Sequence, residues 1–466
     1  MGALATRWQN EVRALVDMPP IDGAKGGVFL ATAAAMAAVV LVAAWGLRIV
    51  GRRAGMLARR RGLGRVESRA VGAAAGFTAL LVGLALVVGA GVVGVDRVYA
   101  PLNAETPEGA TEPVSTHRSA GVGSAVEWEA LGMQGRAFVG GGPSSAQISA
   151  VTGSPAMEPV HVYVGLGQGA TLAERAELAV GELERTGGFS RGTLVVATPT
   201  GSGWLEPQAM DAVEYLHCGD TAIASLQYSY QPSWVSFVFD QELPREAGRA
   251  LYAAVRSHWL ALPADSRPTL LAYGLSLGAL GMQSAFPTAA DLLSGTEGAV
   301  FAGPPNASQP WHSLVAERPP GTPVWLPVLN GGRHIRWISN PGGLAEPKAP
   351  WEATRVAYLQ HATDPVTWLS TDLILQRPEW LSGPSSTGGR SPGVSDAMVW
   401  LPLVTYLQVA VDMVMGEAVP AGHGHNYGNV AVDAFNGVSP STLDEAALAR
   451  VRAVVDGHAG EASTSN

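Results

Sequence analysis

The stretch PTLLAYGLSLGALGMQSAF, residues 268–286, decides the fold. Its first part is an apolar run that reads as a buried strand, and GALGMQSAF reads as a small-residue helix. Between them, Gly274-Leu275-Ser276-Leu277-Gly278 turns the chain from strand to helix within a residue or two. A G-x-S-x-G turn of this kind strains the serine, and its glycines leave space where a side chain would clash. The Ser276 Oγ would then stand at a helix N-terminus, where the Leu277 N–H can help to stabilise an oxyanion. The chain has 57 glycines, so a turn without chemistry is the bland alternative. The strand–turn–helix context favours a nucleophile.

Outward from this stretch, short apolar runs alternate with helical periodicity. Strands are predicted at His161–Leu166, Thr193–Thr200, Gly298–Pro305, His334–Ser339 and Thr354–His361. Helices are predicted after Thr171, a candidate N-cap, with Gly187 and Gly188 as the stop, and over Gly248–Ala261. Residues 211–216 and 220–228 carry weaker patterns. Strands separated by helices imply an α/β fold with a mostly parallel sheet covered on both faces.

A serine nucleophile on such a sheet takes its partners in the order Ser, acid, His. The acid is expected at Asp364, just past the strand TRVAYLQH, at the strand end where catalytic groups of open α/β sheets collect. A helix N-cap before Pro365 is its structural alternative. Asp372 and Glu352 are the other candidates; the first falls in a helical stretch and the second precedes the strand. The base is expected in AGHGHNYGN, with His425 favoured and His423 the alternative. A neutral imidazole there would accept the serine proton and return it to the leaving group. The His-x-His pair could instead hold a metal, but no third ligand has a recognisable spacing, so no metal and no cofactor are expected. His361 and His334 read as structural or surface residues. The second oxyanion N–H is expected from Leu166 or Gly167, in the glycine-rich loop after the first strand. Residues 200–204, TGSGW, form another such loop that could line the pocket; it lacks the lysine of a phosphate loop.

Two uncharged apolar runs, Gly26–Leu47 and Val71–Val95, are each long enough to cross a bilayer of about 30 Å. Between them the segment 51–69 carries seven arginines (positions 52, 53, 59, 60, 61, 65 and 69) opposed by Glu67 alone. Short arginine-rich loops stay on the cytoplasmic side, so everything after Asp96 is expected outside the cytoplasm. The expected plan is a membrane domain over 1–95, an extended linker over 96–123, a catalytic domain over 124–455 and a frayed tail over 456–466. Small residues in both spans suit close contact, within the hairpin or between two copies.

Charged residues make up 15% of the chain, below the usual quarter, which fits a membrane part fused to a soluble one. The net charge of −9 forms no basic face, so nucleic acid is not an expected partner. With one cysteine, Cys218, no intrachain disulfide and no zinc finger can form.

From about Ser124 to the end of the histidine loop the chain resembles the actinobacterial membrane-linked α/β-hydrolases. The resemblance rests on EWEALGMQGRAFV, VHVYVGL, TPTGSGW, LQYSYQPSW, YGLSLGALG, FAGPP, HATDPV and GHGHNYG. It implies the α/β-hydrolase fold and a serine hydrolase whose triad falls on Ser276, Asp364 and His425. Two departures stand out. Family members often carry an acidic residue where this chain has Leu275, and they have more than two spans, so this chain looks shortened at its N-terminus.

The expected substrate is a lipid or other acyl ester, given the membrane anchor and the tryptophans at 204, 234, 311, 325, 337, 351, 368, 380 and 400. Acyl transfer would use the same triad. A hydrolase-fold scaffold without activity is the non-enzymatic alternative.

Overall fold

A computed structural model describes residues 2–23, 26–383 and 389–457; the end of the expected tail, from 458 onward, lies outside the described residues. The chain divides into two units, residues 1–14 with 19–101, and residues 15–18 with 102–466.

The first unit holds α1 (Gly2–Leu15), which was not among the expected helices, α2 (Gly26–Arg60) and most of α3 (Arg65–Ala104). The two expected spans lie inside α2 and α3, which run on well past their apolar cores. Both are long and apolar enough to cross a membrane, with no part of their most apolar windows buried. Near the turn between them the backbones nearly touch. A Cβ on Gly51 would lie 2.9 Å from the Gly72 carbonyl oxygen, and one on Gly55 would lie 2.9 Å from that of Ser68. This contact within the hairpin lies beside the turn; a Cβ on Gly46, Gly83 or Gly89, within the spans, would meet nothing within 4 Å.

The second unit is a seven-stranded sheet, all parallel. Its strands are β1 (Val160–Val164), β2 (Thr193–Thr198), β3 (Thr221–Leu226), β4 (Thr269–Leu275), β5 (Gly298–Ala302), β6 (Ile335–Ile338) and β7 (Arg355–Leu359), in the order β1-β3-β2-β4-β5-β7-β6. Nearly every strand residue is buried, as expected when both faces are covered. The weak pattern at 220–228 is the buried strand β3.

The chain enters this sheet through α4 (Gly132–Gly140) and α5 (Ser145–Thr152). The helices that follow are α6 (Leu172–Thr186), α7 (Pro207–Leu216), α8 (Ser233–Phe239), α9 (Glu242–Ala261), α10 (Leu277–Gln283), α11 (Ala289–Gly295) and α12 (Trp311–Ala316). The last are α13 (Pro365–Trp368), α14 (Val404–Val414), α15 (Gly428–Val438) and α16 (Glu445–Gly457). Helices α6, α9 and α10 pack together in one layer, and α7, α15 and α16 in the other. Thr171 caps α6 as expected, in a reciprocal box with Glu174, and Gly187 ends it in the left-handed conformation.

The expected linker at 96–123 needs correction at both ends. Helix α3 continues to Ala104, and residues 117–119 join the sheet unit. The Ser119 N–H donates to the His161 carbonyl (2.9 Å) and the His161 N–H to that of His117 (3.0 Å). Glu182 accepts from the Ser119 and Ser124 hydroxyls, while Arg185 donates to the carbonyls of Thr116, Arg118 and Val122. The segment is polar because two charged side chains of α6 hold it, and that pairing is invisible in local composition.

Helix α10 is seated by glycine. A Cβ on Gly248 of α9 would lie 2.2 Å from the Gly281 carbonyl oxygen, and one on Gly281 would lie 2.5 Å from that of Pro244. Gly248→Ala should therefore push α9 off α10 and cost about 1–3 kcal/mol. A thermal melt of the purified chain should show the midpoint lowered by several degrees; an unchanged midpoint would mean the contact relaxes freely.

Candidate active site

Ser276 is the residue between β4 and α10, and its backbone is strained as the motif requires, with φ 58° and ψ −126°. The two glycines around it are obligatory. A Cβ on Gly274 would fall 2.3 Å from the Gly278 carbonyl oxygen, and one on Gly278 would fall 2.1 Å from that of Thr198. Ser276 is nearly buried, and its N–H donates to the Ala302 carbonyl at the end of β5 (2.9 Å). Leu277 opens α10, so its N–H is among those a helix leaves without an internal partner.

The structure brings Asp364 and His425 together. Their Oδ2 and Nδ1 atoms are 2.7 Å apart, and both side chains are buried. Asp364 stands just past β7, and its two oxygens divide their work. Oδ1 accepts from the Val366 N–H (2.8 Å) and caps α13; Oδ2 takes His425, the Thr367 hydroxyl (3.1 Å) and the Tyr427 hydroxyl. Capping and orienting a histidine, the two readings of this residue, are thus compatible.

Burial alone would raise the Asp364 carboxyl, but the charge and hydrogen bond of His425, with Tyr427 and the Val366 amide, outweigh it and hold it below its usual range. An ionised Asp364 requires a proton on Nδ1, which leaves Nε2 as the acceptor in the neutral ring. His425 Nε2 is buried without a hydrogen-bond partner. Burial would lower the imidazole, yet Asp364, then Glu417 and Glu206, raise it above its ordinary value.

Gly303, next after β5, links the serine to this pair. With φ +49° it lies so close that a Cβ would sit 2.3 Å from His425 Cε1 and 2.8 Å from Asp364 Oδ2. His423 faces elsewhere, with Nε2 3.1 Å from Asp17. His361 is structural: its ring stacks on Tyr427 and its Nδ1 lies 3.0 Å from the Gly424 carbonyl oxygen. Burial lowers it to about 4, so it stays neutral. Glu352 pairs with Arg333 and His334 at the surface, and Asp372 is exposed in a short turn of helix. Among the described residues no group of three or more His, Cys, Asp or Glu could hold a metal.

Leu166 and Gly167 are misplaced as oxyanion donors. They follow β1, the edge strand, which β3 and β2 separate from β4. The loop beside Ser276 follows β2, because Gly278 packs on Thr198 and Pro199. The loop begins at Pro199, so residues 200–204, expected as pocket lining, belong to the loop beside the nucleophile. Chain order misled here, because β1 comes first in sequence and lies outermost in space.

Two participants went unnoticed in the sequence. Tyr427 follows His425 by two residues and steadies Asp364. Glu206, which opens α7 before Pro207, is fully buried and accepts from the Tyr273 hydroxyl (3.1 Å). Burial pushes Glu206 up to about 7, with the Tyr273 hydrogen bond opposing. A glutamate directly before a helix-starting proline was the available signal. Five of the nine tryptophans (311, 325, 337, 368 and 380) are core residues, while Trp234 is exposed.

A family model described as "Alpha/beta-hydrolase family" matches residues 160–451, more than half of the chain, and one described as "Alpha/beta-hydrolase family N-terminus" matches residues 1–143. No curated protein and no solved structure matches.

Gly303→Ala should displace the His425 ring. Labelling of Ser276 by a fluorophosphonate is then expected to slow by roughly 10²-fold, the usual cost of an ångström-scale misplacement. An unchanged labelling rate in a folded variant would show that the ring position does not matter.

Proposed function

From the premise that this chain belongs to the alpha/beta-hydrolase family, we propose that it is a membrane-anchored serine hydrolase acting on an acyl ester. The observation that carries this reading is a strained serine at the strand–helix turn together with a buried His425 whose Nδ1 is held by Asp364 and whose Nε2 is unpartnered, the two connected through Ala302 and Gly303. Ser276 Oγ attacks the ester carbonyl carbon while His425 Nε2 takes the hydroxyl proton. Asp364 fixes the ring and stabilises the imidazolium, and the carbonyl oxygen gathers negative charge toward the Leu277 N–H and the 199–204 loop. The imidazolium then protonates the departing alcohol, leaving an acyl-enzyme. Water, activated by the same imidazole, releases the acid; a second alcohol in place of water would give acyl transfer. Nearness of the anchor to lipid makes an envelope lipid the favoured substrate.

The same reading places the arginine-rich turn between α2 and α3 in the cytoplasm and the hydrolase unit outside it. In a Cys218→Ser background, an impermeant maleimide applied to intact cells should label a cysteine at exposed Val122 and spare one at Leu63. The reverse pattern would overturn this topology.

A fluorophosphonate should label the wild-type chain, and Ser276→Ala should abolish labelling. Asp364→Asn is expected to lower kcat by about 10⁴-fold, through the wrong tautomer. The base must be neutral to act, so activity falls as pH drops through the His425 pKa. Because that pKa is raised, the acid limb of kcat/KM should lie above the ordinary imidazole value of about 6.5, and Asp364→Asn should move it down. A wild-type limb below that value would contradict the charge arrangement, and a folded wild-type chain that resists labelling would remove the proposal.

A further inference from the structure

The large exposed apolar side chains of the hydrolase unit are concentrated at one end of it. Between residues 102 and 457, among the described residues, most of them fall in two clusters, the exceptions being Leu102, Val114, Val122, Met157, Leu260 and Leu375. The larger cluster is α14 and its approach. Thr405 and Val409 form the buried face of this helix, yet its outer face carries Leu403, Leu407 and Val411, each more than half exposed. A surface helix of a soluble domain would normally be polar there. The smaller cluster is α8, where Val238 and Phe239 are 58% and 55% exposed.

Both clusters adjoin the active site. The sheet is all parallel, so the segments that follow β3 and β7 leave it at the same end as Ser276. Helix α8 touches the 199–204 loop, the Gly201 N–H donating to the Ser233 hydroxyl (3.2 Å). Helix α14 packs on α13, the helix capped by Asp364, and leads directly to Gly416, whose carbonyl accepts the His425 N–H (2.8 Å).

Two facts select the occupant. No lysine or arginine lies between residues 391 and 425 or between 229 and 241, so the surface offers apolar contact without basic charge. The hydrolase unit is also tied to an apolar span by a short piece of chain. The run ending at Val95 is followed by Asn103, which accepts from Gln227 (3.0 Å), and Ala104, which accepts from Arg136 (2.7 Å). Those residues, even fully extended, reach about 28 Å. A unit held so near a bilayer meets lipid at high effective concentration.

We propose that the outer face of α14, with that of α8, is a lipid-docking surface that seats the active-site end of the unit on the bilayer. This rests on the hydrolase reading for its purpose: an acyl ester would pass from the membrane to Ser276 without crossing water. The contact is apolar insertion at the interface, as in in-plane amphipathic helices, and it works on zwitterionic lipid.

The test uses the full chain in phosphatidylcholine vesicles containing doxyl-labelled lipid, in a Cys218→Ser background. A fluorophore at Val411→Cys should be quenched by about half or more, as for a side chain a few ångströms into the interface. The same fluorophore at Val122→Cys should not be, and high salt should leave the difference intact. An unquenched Val411 probe, equal quenching at both positions, or loss of quenching in salt would overturn the proposal. So would quenching of Val411 by a labelled second copy in place of lipid. As a second arm, the pair Leu407→Glu and Val411→Glu should cut turnover of a vesicle-borne ester by about 10-fold or more, the loss of a few buried apolar side chains. Fluorophosphonate labelling of Ser276 should persist. Equal turnover in the pair and the wild type would overturn the proposal, whereas absence of labelling in the wild type would overturn the hydrolase reading and leave the quenching result to stand by itself.

Discussion

Where Gly278 passes the end of β2, its α-carbon lies so close to the Thr198 carbonyl oxygen that no other residue fits. That contact fixes the start of α10, and with Gly274 it fixes the turn holding Ser276. Helix α10 is pressed in turn against α9 through Gly248 and Gly281. The strain at Ser276 is sustained because backbones on three sides prevent the turn from relaxing. The remaining site is then arranged around a fixed point: β5 supplies Ala302 to the Ser276 amide and Gly303 to the His425 ring.

Electrostatics follow from the same crowding. Buried carboxyls usually rise in pKa, and Glu206 does so, while Asp364 goes the other way because the His425 charge, with the donors that converge on its two oxygens, outweighs burial. Two buried acids that both act on the charge of the His425 imidazole are thus shifted in opposite directions by their own neighbours. The ionised Asp364 holds the proton on Nδ1 and leaves Nε2 open.

The elbow, the cap at Thr171, the strand cores and the Asp364–His425 pairing could all be anticipated, because each rests on local pattern or on chain order. Leu166 and Gly167 could not be placed correctly, since lateral strand order arises from crossovers and no local signal places β1 at the edge. The polar segment at 116–124 looked like a linker because its partners, Glu182 and Arg185, lie some sixty residues away. Helices α1 and α14 were overlooked for different reasons. The first carries an apolar stripe of Leu4, Trp8, Val12 and Leu15 but is short and stands before the long apolar runs that dominate this part of the sequence, and the second is apolar on both faces and so shows little contrast between them. The feature that hid α14 from periodicity is the one that marks it in the structure.

Asp364 has one oxygen on the cap of α13 and the other on His425, and α14 rests on α13. Helix α14 is therefore two contacts from the imidazole along its buried face, Thr405 and Val409, while Leu407 and Val411 stand on the exposed one. A single helix thus has one side on which bulk is constrained by what lies beneath and another on which it is not.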